Sequence, residues 1–247
     1  MVANNDQLAR MFKLQTSVAD LAMRGKRDPE QIADLLQRVN DNPNFSQELF
    51  PSASFGQALP KSQPTQKTLQ SQLRDWQSFY LKFFNLNKDF TNLRIPEEKE
   101  GLNFLLILAQ GLTPSQIYKV MTEHFQCWKY IDNLNTITSD RTSQNGDYAI
   151  WLRNSQEADE DLKNLSANDL KAKNIQGITL EERLIMELFY WWKTAKHLDG
   201  RNWTLCSGSR GPDGSVPCVY WHGARVRVDW SHPGYRLEGR RCRLVVS

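Results

Sequence analysis

Long apolar runs are missing from this sequence. Its most apolar stretch, Leu102 to Ala109 (LNFLLILA), has eight residues, whereas a helix needs about 20 to cross the hydrocarbon core of a bilayer, so no membrane insertion is expected. The amino-terminal MVANNDQLARMFKLQ sets charges among its apolar positions and lacks the continuous apolar core of a secretory signal, which predicts a cytoplasmic protein. Cysteine is scarce. Four thiols (Cys127, Cys206, Cys218, Cys242) in a chain without an export signal read as reduced core side chains, and none forms a C-x-x-C pair. Cys206, Cys218, His222 and His232 are separated by eleven, three and nine residues, unlike the ligand spacing of a zinc finger, so no metal is expected. The Ser207-Gly-Ser-Arg-Gly211 turn lacks the lysine and spacing of a phosphate-cradling loop, and no cofactor is expected either.

Lysine is absent from the last 47 residues. From Arg201 to Ser247 there are eight arginines and three acids, a formal +5, while residues 1 to 200 carry 23 basic against 25 acidic side chains. The whole-chain charge of +3 is too mild for a general polyanion binder, so any partner is local to this segment. Arginine, tyrosine and tryptophan combine contact area with hydrogen bonding and few rotamers, the mixture that dominates binding hot spots.

Pattern reading gives an α+β chain: a helical N-terminal region, then a C-terminal domain with an antiparallel sheet. Residues 1–40 read as a helical hairpin, its helices over 4–24 and 28–40, the second opened by Asp28, Pro29 and Gln31. The apolar face Ile32, Leu35, Leu36, Val39 serves packing or self-association. Residues 41–66, with Pro43, Pro51, Pro60 and Pro64 among Ser, Gln and Asn, read as a linker or arm. Residues 67–140 form a helix-strand-helix segment: a stripe of Leu69, Leu73, Trp76, Tyr80 and Phe83, a strand over 102–109, and a helix capped by Thr113 with Ile117, Val120, Met121 and His124 inward. Residues 141–247 form the display domain, with a strand at 148–152, a short helix from Ser166 to near Gly177, and a helix opened by the Thr179/Glu182 capping box. The acidic run Glu157, Asp159, Glu160, Asp161 reads as a solvated loop or helix start.

Gly223-Ala224 between two alternating runs predicts a two-residue hairpin turn, which fixes the register: His222 faces Arg225, Trp221 faces Val226, Tyr220 faces Arg227, Val219 faces Val228 and Cys218 faces Asp229. Val219, Trp221, Val226, Val228 and Trp230 are then expected in the core, with Tyr220, His222, Arg225, Arg227 and Asp229 displayed on the other side. The adjoining turn adds Ser231, His232 and Tyr235 as candidate contacts.

The order strand, short helix, long helix and antiparallel strands is similar to that of C-type-lectin-like domains. The stretches Gly177-Ile-Thr-Leu-Glu-Glu-Arg183 and Asn202-Trp-Thr-Leu-Cys-Ser-Gly-Ser-Arg210 look like the helix-to-strand region of the formylglycine-generating-enzyme branch of that fold. From Asn202 to Ser247 the chain resembles proteins of uncultivated bacteria that look like variable proteins of diversity-generating retroelements. This resemblance implies Tyr220, His222, Arg225, Arg227, Asp229, Ser231, His232 and Tyr235 as variable contacts on a bacterial, non-enzymatic ligand-binding scaffold. A Gly-Gly-Ser-Trp element and a calcium-binding Glu-Pro-Asn motif are both missing, so calcium-dependent sugar binding is disfavoured, and no close cysteine pair supports transfer of the branch's oxidase activity. A protein ligand is the leading expectation. The alternatives are a nucleic-acid module with arginines on phosphates and Tyr220 or Tyr235 stacked on bases, and a hydrolase or transferase using His197, Asp199 and Cys206.

Overall fold

A computed structural model of the chain describes residues 69–247; the expected hairpin at 1–40 and arm at 41–66 lie outside the described residues. Helix α1 (Leu69–Phe84) opens the described part, followed by strand β1 (Phe104–Leu108), helix α2 (Pro114–Thr122), and the short strands β2 (Cys127–Lys129) and β3 (Thr138–Ser139). Then come β4 (Tyr148–Leu152), α3 (Ala167–Ala172), α4 (Leu180–Thr194), β5 (Trp203–Leu205), β6 (Ser209–Arg210), β7 (Val216–His222), β8 (Arg225–Ser231) and β9 (Arg240–Arg241). The architecture is mixed α and β, and among the described residues no helix is long and apolar enough to cross a membrane.

The helices start where their local chemistry directs. Thr113, Ser166 and Thr179 each accept from the N3 backbone while Gln116, Asp169 and Glu182 reach back to the cap, so α2, α3 and α4 all open with a complete capping box. Asp169 has a second partner. Its carboxylate takes Arg236 Nε and Nη2 at 2.7 and 2.6 Å as well as Ser166, and these bonds, Arg236 first, hold its pKa well below the ordinary 3.8. A depressed carboxyl pKa contributes stability that is present above the unfolded value and lost as pH falls through the folded one. Asp169→Asn is therefore expected to lower the melting temperature at pH 7, with the gap to the parent chain closing as the pH drops below about 4. A gap of equal size at pH 2 would contradict this.

β1 is apolar throughout because both its faces are buried, and it pairs antiparallel with β4 from Phe104↔Leu152 to Leu108↔Tyr148. Its other rim is met by α1: Trp76 Nε1 donates to Leu105 O at 2.9 Å, while Tyr80 Oη donates to Ile107 O at 2.6 Å and accepts from Ala109 N at 3.1 Å. Phe79, also buried, joins this face of α1, and the first residue of the expected stripe, Leu69, is exposed because it precedes the core. His124, expected on the inner face of α2, lies past the C-cap and is exposed, with its ring against Trp191 and Phe83.

The large sheet has the order β2-β8-β7-β5-β9, with β2 parallel to β8, β5 parallel to β9 and the other pairs antiparallel. The expected boundary at residue 141 does not separate two structures: β1 (before it) pairs with β4 (after it), β2 pairs with β8, and the compact unit runs from Gln66 to Ser247. Composition does not change at 141, and only long-range pairing reveals the continuity. Gly177 sits where the chain passes under Ser207 and Cys242; a Cβ there would lie 1.8 Å from Ser207 Oγ, so no larger residue fits.

Candidate binding face on the five-stranded sheet

The β7–β8 hairpin has the register read from its turn, from His222↔Arg225 through Trp221↔Val226, Tyr220↔Arg227 and Val219↔Val228 to Cys218↔Asp229. Gly223 and Ala224 both have positive φ, 60° and 59°, the mirror-image turn whose twist matches that of the strands. Val219, Val226 and Val228 are fully buried, and Trp221 lies half-buried with its indole stacked on His197 at 3.6 Å and 4°. Trp230, expected in the core with them, is 53% exposed: it pairs with Pro217 at the end of the ribbon, beyond the packed centre.

The opposite side is open only towards the turn. A small core of Leu162, Ala167, Leu170 and Leu205 closes over Val216, Cys218 and Cys242, so α3 and the turn before it cover the lower half of this side. Ser231, expected as a contact, is buried there, accepting from Arg240 Nη1 and donating to His232 O. Tyr220 is also buried, at 5% exposure, because Trp203 stacks on its ring at 4.4 Å and 11°. Burial raises its phenol pKa to about 12, the Asp229 carboxylate adding to the effect, and the neutral hydroxyl donates to Asp229 Oδ2 at 3.1 Å. His222 and Arg225 are exposed beside the turn, with Arg227 and Asp229 partly exposed behind them. His232 and Tyr235 are exposed on the following loop, where His232 Nδ1 accepts from Gly234 N and fixes the turn.

Register brings in two residues the sequence reading missed. Trp128 on β2 pairs with Arg227, Arg227 with Tyr220, Tyr220 stacks on Trp203 of β5, and Trp203 pairs with Arg240 of β9. One transverse row, Trp128–Arg227–Tyr220–Trp203–Arg240, thus crosses all the strands of the sheet on one face. Its cations lie over rings: Arg227 Cζ is 4.6 Å from the Trp128 centroid, and Arg240 Cζ is 5.8 Å from Trp203 and 5.7 Å from Tyr235. No local pattern foretells that β2, three residues long and parallel to β8, would deliver Trp128 there.

The arginine surplus has a largely internal explanation, which corrects the reading of the whole segment as contact surface. Arg243 is buried and donates to Asp199, Thr204 and the carbonyls of Ser155 and Gln156. Arg236 pairs with Asp169, Arg241 with Glu160, Arg210 binds the carbonyls of Ser207 and Ser209, and Arg240 is buried against Ser231. Five of the eight arginines are thereby committed. The planar five-donor fork of arginine suits such multi-carbonyl and bidentate roles, where lysine offers only a point charge.

His197, Asp199 and Cys206 do not assemble into a nucleophilic set. His197 Nδ1 is bonded to Glu187 at 2.9 Å, Asp199 is clamped between Arg183 and Arg243, and burial raises the Cys206 thiol pKa well above its ordinary value. Two surface clefts lie apart from the hairpin, one of about 390 Å³ lined by Lys171, Asn174, Gln176, Ser207 and Arg210, another of about 920 Å³ lined by Arg94, Lys99, Arg141, Tyr148 and Ser247. Neither includes a hairpin residue. No protein-family model matches the chain, and neither a curated protein nor a solved structure matches it.

Proposed function

We propose that the chain is a non-enzymatic binding protein in which a lectin-like C-terminal scaffold presents the turn end of the β7–β8 hairpin to a protein ligand. The single observation that carries this reading is the transverse aromatic–arginine row with His222 and Arg225 beside it. It is a rigid surface in which side-chain order is already established before a partner arrives, so little rotamer entropy is left to lose on binding. The order β4, α3, α4, then the antiparallel strands β5, β7 and β8 supports the lectin-like description. The same reading takes the exposed members, His222, Arg225, Arg227, Asp229, His232 and Tyr235, as positions that a diversity-generating retroelement would vary. A near-copy of the gene's 3′ end, differing at adenines and beside a reverse transcriptase, is the genomic signature expected.

Nucleic-acid binding has less support, because it needs several free cations along a phosphate track and open aromatic faces for bases. Most of the arginines are committed, and the Trp128 and Trp203 rings are already covered by Arg227 and by Tyr220 with Arg240. Tyr220 is unsuitable for testing the face, since its removal would unpack Trp203. Arg225→Gln with Arg227→Gln leaves the buried members in place. Panning a random-peptide phage library on the full chain should recover clones that bind the double variant at least tenfold less well, with an unchanged melting temperature. Equal recovery on both would refute the reading.

A further inference from the structure

The geometry points to an acidic segment of a partner protein as the ligand of the hairpin end, an inference that rests on the binding reading above and names its chemistry. Among the described residues, neither Arg225 nor Arg227 forms an ion pair with a carboxylate, in contrast to Arg236, Arg241 and Arg243 on the same stretch of chain. The two share one strand face two residues apart, so their guanidinium groups meet the same stretch of any ligand lying across β8. Arg227 lies over Trp128, its Cζ 4.6 Å from the ring centroid, and its Nε is buried with no acceptor. A guanidinium packed against an indole has given up part of its rotamer freedom already, and an arriving carboxylate gains a two-pronged bond at lower entropic cost.

The acid on this face cannot take that role. Asp229 Oδ2 accepts from the Tyr220 hydroxyl and Oδ1 from Trp230 N, so its carboxylate, still charged, is bonded within the sheet and ion-pairs with neither arginine. His222 lies directly opposite Arg225 and is exposed beside it. The end of the ribbon thus carries two arginines without an ion-pair partner beside one hydrogen-bonded carboxylate, a net positive charge that complements a run of Glu or Asp. Phosphodiester chains fit less well, for the reason given by the covered tryptophan faces.

The test is a titration of the full chain with hexaglutamate, hexaglutamine and a hexameric oligo(dT) at about 50 mM salt, read by calorimetry. Hexaglutamate should bind, hexaglutamine should bind at least tenfold more weakly, and raising the salt to about 0.5 M should weaken the complex. Arg227→Gln should cost at least tenfold, Arg227→Lys should recover only part of it because an ammonium lacks the two-pronged fork, and Arg236→Gln should cost less than twofold. Equal affinity for the two peptides, an equal loss with Arg236→Gln, or tighter binding of oligo(dT) would each overturn the inference. Should phage clones still depend on Arg225 and Arg227 while hexaglutamate does not bind, the binding reading stands and only the acidic ligand falls.

Discussion

Asp199→Ala is expected to lower stability by about 3–5 kcal/mol, the usual cost of removing one partner from a buried ion network. Arg183 Nε and Nη2 reach Asp199 Oδ2 at 3.1 and 2.8 Å, Arg243 Nη2 reaches Oδ1 at 2.7 Å, and Thr204 donates to Oδ2 as well. Glu187 takes Arg183 Nη1 at 2.7 Å, so two cations are balanced by two anions with almost no exposure on any of the four. Burial by itself would lower the Arg183 pKa; the opposing charges of Asp199 and Glu187 more than reverse this, and the guanidinium stays charged. Loss of Asp199 would strand Arg243 in the interior with neutral partners alone. Asp199→Asn, which preserves shape and some hydrogen bonds, should cost less. Urea unfolding followed by tryptophan fluorescence measures both, and a loss under about 1 kcal/mol for the alanine variant would show that the network contributes little.

Trp76→Ala should cost a comparable amount, about 3–5 kcal/mol, by a different route. Trp76 is 1% exposed, stacks on Phe189 of α4 at 3.9 Å, and meets Phe79 and Phe104 edge-on at 5.3 and 6.3 Å. It therefore joins α1, β1 and α4 in one contact. Truncation would open a cavity and leave Leu105 O without its donor, adding an unsatisfied carbonyl to the lost packing. Trp76→Phe keeps most of the volume but not the donor, so its smaller loss, measured by the same unfolding experiment, separates the packing contribution from the hydrogen bond.

Local rules account for what was legible. The capping residues Thr113, Ser166 and Thr179 determine helix starts within their own four residues, and the turn at Gly223-Ala224 propagates its register outward through alternation alone. Covering was not legible. Whether Ser231 and Tyr220 face water depends on α3 and on Trp203, which the sequence separates from them, and nothing periodic reports that α3 packs over Cys218. The arginines misled for the same reason: Arg243 is paired with Asp199 across 44 positions, so its burial has no neighbourhood signature. The Arg183/Glu187 pair, four apart on α4, did carry a spacing from which a link could have been read.

The bonds from α1 to β1 have a bearing on how this protein behaves in company. A pentapeptide such as Phe104–Leu108 (FLLIL), uncharged and free of proline and glycine, has the makings of a fibril-forming strand when its backbone is left vacant. Here Trp76 and Tyr80 occupy one margin of the ribbon, β4 the other, and the far side of β4 is in turn bridged by Val246 through Trp151. No foreign strand can zip onto it, so a concentrated solution of the folded chain is protected from cross-β growth there for as long as α1 holds its place.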